Sequence, residues 1–175
     1  AILNKEAHVS SIKNVYTLAG YIHYLLTGQK VLGVGDASGM FPIDRKTGTY
    51  NAAFASSFKE MTGIDINEVF PKVLPAGAKA GNLSEKGAAF LDSDGDLIAG
   101  IPMCPPEGDA GTGMAATNSV RVKTGNISAG TSIFSMVVLD KDLQKTYPGV
   151  IDIVTTPDGV PVAMVHANNC TGEHN

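Results

Sequence analysis

The apolar residues of this chain change their period once, and that change limits what the chain can fold into. Ile12, Val15, Leu18, Ile22, Leu25 and Leu26 recur at helical spacing and line one face of a helix. Ser10 and Ser11 are good N-cap residues before that stripe, and Gly28 is a natural stop behind it. Beyond Lys123 the pattern turns to short apolar runs broken by turns. Strands are expected on either side of Gly130-Thr131-Ser132 within residues 127–139, and at 150–155 and 160–166 around Pro157-Asp158-Gly159. Helices come first and hairpins follow, so a boundary near Lys123-Thr124-Gly125 is expected, with no internal repeat and no low-complexity tract.

Between these parts the elements are shorter. Residues 30–34 read as a strand, 36–48 as a loop containing Pro42, and 52–61 as a second helix closed by Gly63. Residues 64–82, with Pro71, Pro75 and several glycines, read as loop. Ser84 caps a short helix over 85–91, and Asp92-Ser93-Asp94-Gly95-Asp96 is a tight polar turn. The apolar run 97–103 reads as a buried strand, and the small-residue run 110–120 as a tightly packed helix.

Composition removes several function classes. Basic residues number 13 against 17 acidic, a net charge of −4, with no Lys/Arg run and no row of aromatics, so nucleic acid is a poor partner. Hydrophobic residues at 43% against 17% charged allow a buried core rather than a disordered tail. No apolar run approaches the roughly 20 residues that span a bilayer, so no membrane partner is expected. Cys104 and Cys170 form no zinc-type pair, which fits a reducing, cytoplasmic location. The start at Ala1 and the stop after Glu173-His174-Asn175 are those expected of a piece cut from a longer protein.

Three motifs lose to plainer readings. Gly33-Val34-Gly35-Asp36-Ala37-Ser38-Gly39 has the glycines of a dinucleotide loop, but Pro42 hinders the helix that such a loop must open. Asp92, Asp94 and Asp96 suggest a calcium loop, yet Gly95 is fourth rather than sixth and Met103 holds the twelfth position. His166, Cys170 and His174 are four apart, but Ala167-Asn168-Asn169 favours a strand end and loop, with no fourth ligand. No metal ligand is assigned. His8 and His23 have no catalytic companions, and His23 reads as partly buried within the first helix.

The stronger constellation is Gly108-Asp109-Ala110-Gly111-Thr112-Gly113, followed by Gly130-Thr131-Ser132. An acid where a strand gives way to a helix is held at a sheet edge, with little side chain around it to block a ligand. A Gly-Thr-Ser turn between strands offers N–H groups and hydroxyls to phosphate oxygens. The plain alternative is an N-capping Asp and an ordinary hairpin turn.

With these residues the chain resembles the FGGY carbohydrate kinases. Four stretches carry the likeness in the family's order: the helix through Leu26-Thr27-Gly28, Asp36-Ala37-Ser38-Gly39-Met40-Phe41, Gly108-Asp109 with its small-residue helix, and Gly125-Asn126 through Gly130-Thr131-Ser132. The resemblance implies an α/β fold of the actin-like, ribonuclease-H-like ATPase type, present in part. Residues 1–122 would end the first domain and 123–175 would begin the second. It implies ATP-dependent phosphorylation of a sugar hydroxyl, with Mg²⁺ on the phosphates and a small-molecule sugar as partner. Asp109 would be the general base and touch substrate, Phe134 would lie near the sugar, and Gly130, Thr131 and Ser132 would face the transferred phosphoryl group. A homodimer is a candidate assembly.

Two departures shape that expectation. Ala110 replaces a polar side chain that contacts substrate in glycerol kinases, which points to a ketose of the xylulose, ribulose or rhamnulose type. The family's first phosphate hairpin and the adenosine-binding part are absent, so this piece alone is not expected to turn over substrate. The rival is a non-catalytic sugar- or nucleotide-binding module on the same fold. Asp109 tips the choice, because a pure binder needs no acid there.

Overall fold

A computed structural model describes residues 1–168. A 3-10 turn at Ala7–Ser11 leads into extended chain, where the Val15 N–H donates to the Val69 carbonyl at 2.9 Å. Helix α1 therefore begins only at Leu18 and runs to Thr27. Its cap is Thr17, whose hydroxyl accepts the Gly20 N–H, so Ser10 and Ser11 do not cap it. Gly28 ends it at φ 71°, a left-handed conformation that costs glycine nothing.

Strand β1 (Val31–Gly33) is followed at once by helix α2 (Val34–Met40), which corrects the expected loop over 36–48. The helix stops before Pro42, as the proline requires. Strands β2 (Ile43–Asp44) and β3 (Thr49–Tyr50) pair as a small hairpin. Helix α3 (Ala52–Thr62) is capped by Asn51 and closed by Gly63 at φ 75°. The expected loop over 64–82 instead holds α4 (Ile66–Val69) and β4 (Lys72–Leu74), and β4 lies parallel to β1 with Leu32 opposite Val73. Leu32, Val34, Ala37 and Val73 form the buried cluster between them.

Ser84 caps α5 (Glu85–Leu91), which packs on α1 around Leu26, Leu83 and Ala88. Residues 97–103 are not a strand. Leu97, Ala99 and Met103 turn toward that cluster while Ile98 is 75% exposed, and the sole ladder contact there is a bridge between Asn82 and Pro102. Residues 80–83 lie beside the run, with the Ala80 and Leu83 N–H groups donating to the Met103 and Ile101 carbonyls, but Gly100 at φ 94° breaks its extended course before a regular ladder can form. Asp109 thus follows an irregular segment, not a strand, and opens helix α6 (Asp109–Ala116).

The last part is an antiparallel sheet ordered β5-β6-β8-β7, from β5 (Gly125–Ala129), β6 (Ile133–Val138), β7 (Asp152–Thr155) and β8 (Pro161–Ala167). Along β6, Met136 and Val138 are buried while Val137 between them is 47% exposed, the period of two that puts one face on a core. Met114 of α6 fills that face with Val162 of β8. Burying one such side chain contributes about 1.5–3 kcal/mol. The sheet is also fastened to the first part. The Thr155 hydroxyl donates to the Val34 carbonyl at 3.1 Å, and its N–H donates to the Ser38 hydroxyl at 3.0 Å. Among the described residues no helix is long and apolar enough to cross a membrane.

Candidate active site

The strand-to-helix junction of β1 and α2 meets the loop-to-helix junction at the start of α6. Gly108 is its N-cap, and Asp109, exposed in the first turn, accepts the Ala110 N–H at 2.8 Å. The Thr112 hydroxyl ties the turn by donating to the Gly108 carbonyl at 3.0 Å. Facing it from α2 stands Asp36, half-buried, with the Thr17 hydroxyl donating to its carboxylate at 2.7 Å. Gly108 permits this approach, since a Cβ there would lie 3.3 Å from an Asp36 carboxylate oxygen. Burial raises the Asp36 carboxyl above its usual range; the Thr17 bond opposes that rise and the charge of Asp109 adds to it.

Just upstream, Glu107 turns its carboxylate onto α2. It accepts the Gly35 N–H at 3.1 Å and the Asp36 N–H at 2.8 Å. Burial pushes its carboxyl up to about 6; the two N–H bonds pull the other way, and the Asp36 charge adds a further upward push.

Asp36 and Asp109 line a cavity of about 160 Å³, floored by Gly35 and Gly108 and closed by Met114, Met136 and Met164. That is smaller than the roughly 300–1,000 Å³ typical of sites for drug-sized ligands, so it suits a small molecule. It lies where α2 and α6 meet the β6 and β8 strands. A cavity of about 610 Å³ between α1 and residues 103–107 is larger, but apolar side chains such as Ile22, Leu26 and Met103 dominate its lining. It lacks the converging carboxylates.

The other sequence-derived site residues stand elsewhere. Gly130, Thr131 and Ser132 form the turn between β5 and β6, held by the Gly130 N–H donating to the Ser132 carbonyl at 2.9 Å. They do not line the cavity. Thr131 is five residues from Met136, which at about 3.3 Å per strand residue sets it roughly 16 Å up the hairpin. One N–H of the turn is spent internally. The exposed Thr131 hydroxyl and the half-buried Ser132 hydroxyl have no hydrogen-bond partner among the described residues, a donor set that fits phosphate oxygens. Phe134 packs against the Met114–Met136 cluster and meets His166 edge-on at 6.0 Å; it is not a cavity wall. His23 is fully buried, its Nε2 2.9 Å from the Ala80 carbonyl oxygen. Of the His166, Cys170 and His174 set, the last two fall outside the described residues. Among the described residues no group of three or more ligating side chains is placed for a metal ion.

Asp36, Glu107 and Thr17 are the polar residues here that motif reading did not assign. Asp36 stands in the Asp-Ala-Ser-Gly segment and Glu107 two residues before Asp109. The signal was there, but only the fold joins the two segments.

No protein-family model matches the chain, and no curated protein matches it significantly by sequence. Solved structures do match by shape. Xylulose kinase from Rhodospirillum rubrum superposes at a TM-score of 0.75 with 21% identity, covering 99% of this chain and 34% of that one. Ligand-bound xylulose kinase from Lactobacillus acidophilus gives 0.76 at 18% identity, covering 96% and 32%. Plasmodium falciparum glycerol kinase with ADP gives 0.72 at 14% identity, covering 99% and 34%. The chain spans about a third of the length of the structures it matches. The expected likeness to the FGGY carbohydrate kinases thus holds for the fold: an actin-like α/β architecture, present in part.

Proposed function

We propose that the chain is part of an ATP-dependent sugar kinase, with Asp109 as the base that takes the proton of the accepting hydroxyl. The observation that carries this reading is the exposed Asp109 carboxylate on the rim of a small cavity, at the joint between the helical part and the antiparallel sheet. Residues 1–122 then close the first domain and 123–175 open the second, with the sugar held in the cleft at that joint. The likeness of fold to xylulose and glycerol kinases supports the kinase reading. A ketose is the favoured acceptor, because Ala110 offers no polar contact beside Asp109.

The chemistry asks little covalent work of the protein. Phosphoryl transfer passes through a loose transition state, so alignment and charge stabilisation dominate. As the sugar oxygen bonds to the terminal phosphorus and the bond to ADP breaks, the hydroxyl proton passes to an Asp109 carboxylate oxygen. Met114, Met136 and Met164 exclude water from the far wall of the cavity. The Thr131 and Ser132 hydroxyls at the hairpin tip would hold the terminal phosphate, and the hairpin would have to close toward α6 to bring that phosphate to the sugar hydroxyl beside Asp109. ATP supplies the phosphoryl group, and Mg²⁺ travels on its phosphates.

The full-length protein mixed with ATP, Mg²⁺ and a panel of ketoses should release ADP only with a cognate sugar. Asp109→Asn should then lower kcat by about 10²–10⁴ while ATP affinity stays nearly intact. Unchanged turnover rejects the base assignment, and ADP release without any sugar points to an ATPase.

A further inference from the structure

We propose, resting on the kinase reading above, that Glu107 is a positioning residue that latches the Asp109 loop onto helix α2 and so fixes where the base points. Asp109 cannot fix itself. Its carboxylate is held only by the N–H of its own neighbour Ala110 among the described residues, so its direction is set by the backbone before it. That backbone is held from α2. The Pro106 carbonyl accepts the Gly33 N–H at 2.8 Å, and the two oxygens of Glu107 each accept a separate N–H, from Gly35 and Asp36.

The fit is tight enough to constrain sequence. A Cβ on Gly33 would fall inside the Glu107 carboxylate and 2.7 Å from the Pro106 carbonyl oxygen. One on Gly35 would stand 2.5 Å from Glu107 Oε2. Two of the three glycines that looked like a dinucleotide loop, Gly33 and Gly35, are explained by this carboxylate instead. The latch also joins the two acids of the cavity, because the residue whose N–H it takes at 2.8 Å is Asp36.

Two N–H donors need two acceptor oxygens, and only the ionised carboxylate supplies both in full; protonation turns one oxygen into a donor. The charged and titratable groups around Glu107 are Asp36 on α2, Asp109 beyond it on α6, and His23 of α1 and the free thiol of Cys104, which line the neighbouring apolar cavity. With burial holding the carboxyl near 6, the latch loosens in mild acid.

The test uses the full-length protein. Glu107→Gln keeps the size but offers one acceptor instead of two; kcat should fall about 10²-fold, the loss typical of an ångström-scale misplacement, with KM for ATP unchanged. The wild-type kcat should decline as pH drops through about 6, and the variant should show no such limb. Gly35→Ala, which crowds the carboxylate without removing its charge, should lose kcat likewise. A wild-type kcat and pH profile in Glu107→Gln overturns the proposal. Amide exchange on the wild type needs neither variant nor catalysis: protection of Gly35 and Asp36, relative to intrinsic rates, should weaken below pH 6, and undiminished protection overturns the latch. If no sugar is phosphorylated at all, the kinase reading fails, while the exchange result still judges the latch.

Discussion

Replacing Ser38 by alanine should weaken the joint between helix α2 and strand β7 by a calculable amount. The Ser38 hydroxyl donates to the Gly35 carbonyl at 2.6 Å and accepts the Thr155 N–H at 3.0 Å. Alanine leaves the Thr155 N–H without an acceptor in a half-buried place. An orphaned buried donor costs about 1–3 kcal/mol, and partial access to water puts this one at the lower end, about 1–1.5 kcal/mol. Thr155→Val removes the neighbouring bond to the Val34 carbonyl and should cost about 0.5–1.5 kcal/mol. Both bonds secure the same two elements, so the double variant should show a coupling of at least about 0.5 kcal/mol. Urea denaturation followed by circular dichroism measures all three. A Ser38→Ala protein as stable as the parent, or strictly additive losses, would refute the idea that Thr155 fastens the sheet to α2.

Further outcomes follow from the same coordinates. Gly87→Ala would place a Cβ 2.8 Å from the Leu26 carbonyl carbon and from its Cα, a backbone clash that no rotamer relieves; a loss of about 1–3 kcal/mol is expected by denaturation, and parental stability would contradict the α1–α5 packing. Glu107 should give stability an unusual slope with pH. The folded protein holds this proton up to about pH 6, against an ordinary value of 4.5, so between those values the folded state binds more protons than the unfolded one. Stability contributed by this group is therefore present below pH 4.5 and lost as pH rises through 6, and Glu107→Gln should flatten the slope in denaturation curves taken across that window. Activity should move the opposite way, which separates the latch from a purely structural role.

The C-terminal ends of α1 and α3 and the start of α5 were legible because local chemistry sets them, whereas the start of α1 moved from Ser10 and Ser11 to Thr17. Gly28 and Gly63 take the left-handed conformation, and Ser84 accepts the Gly87 N–H. The β5–β6 and β7–β8 pairings were legible because alternation and turn residues agree. What escaped was held by distant parts. Helix α2 carries Gly35 and Gly39, poor helix formers, and begins with N–H groups held by Glu107, far away in sequence. Strand β4 exists because β1 lies beside it. Residues 97–103 have the pattern of a strand, but a turn at Gly100 interrupts them and leaves one isolated bridge to Asn82. At the site, Asp109 could be read from its glycines, whereas Asp36 and Glu107 become site residues only when α2 meets α6.

A structure of the full-length protein with its cognate sugar tests the account most directly. The hydroxyl that becomes phosphorylated should lie about 2.6–3.2 Å from an Asp109 carboxylate oxygen, on the side open to the Gly130–Ser132 turn. A sugar seated elsewhere, with that hydroxyl beyond reach of Asp109, would contradict the central claim.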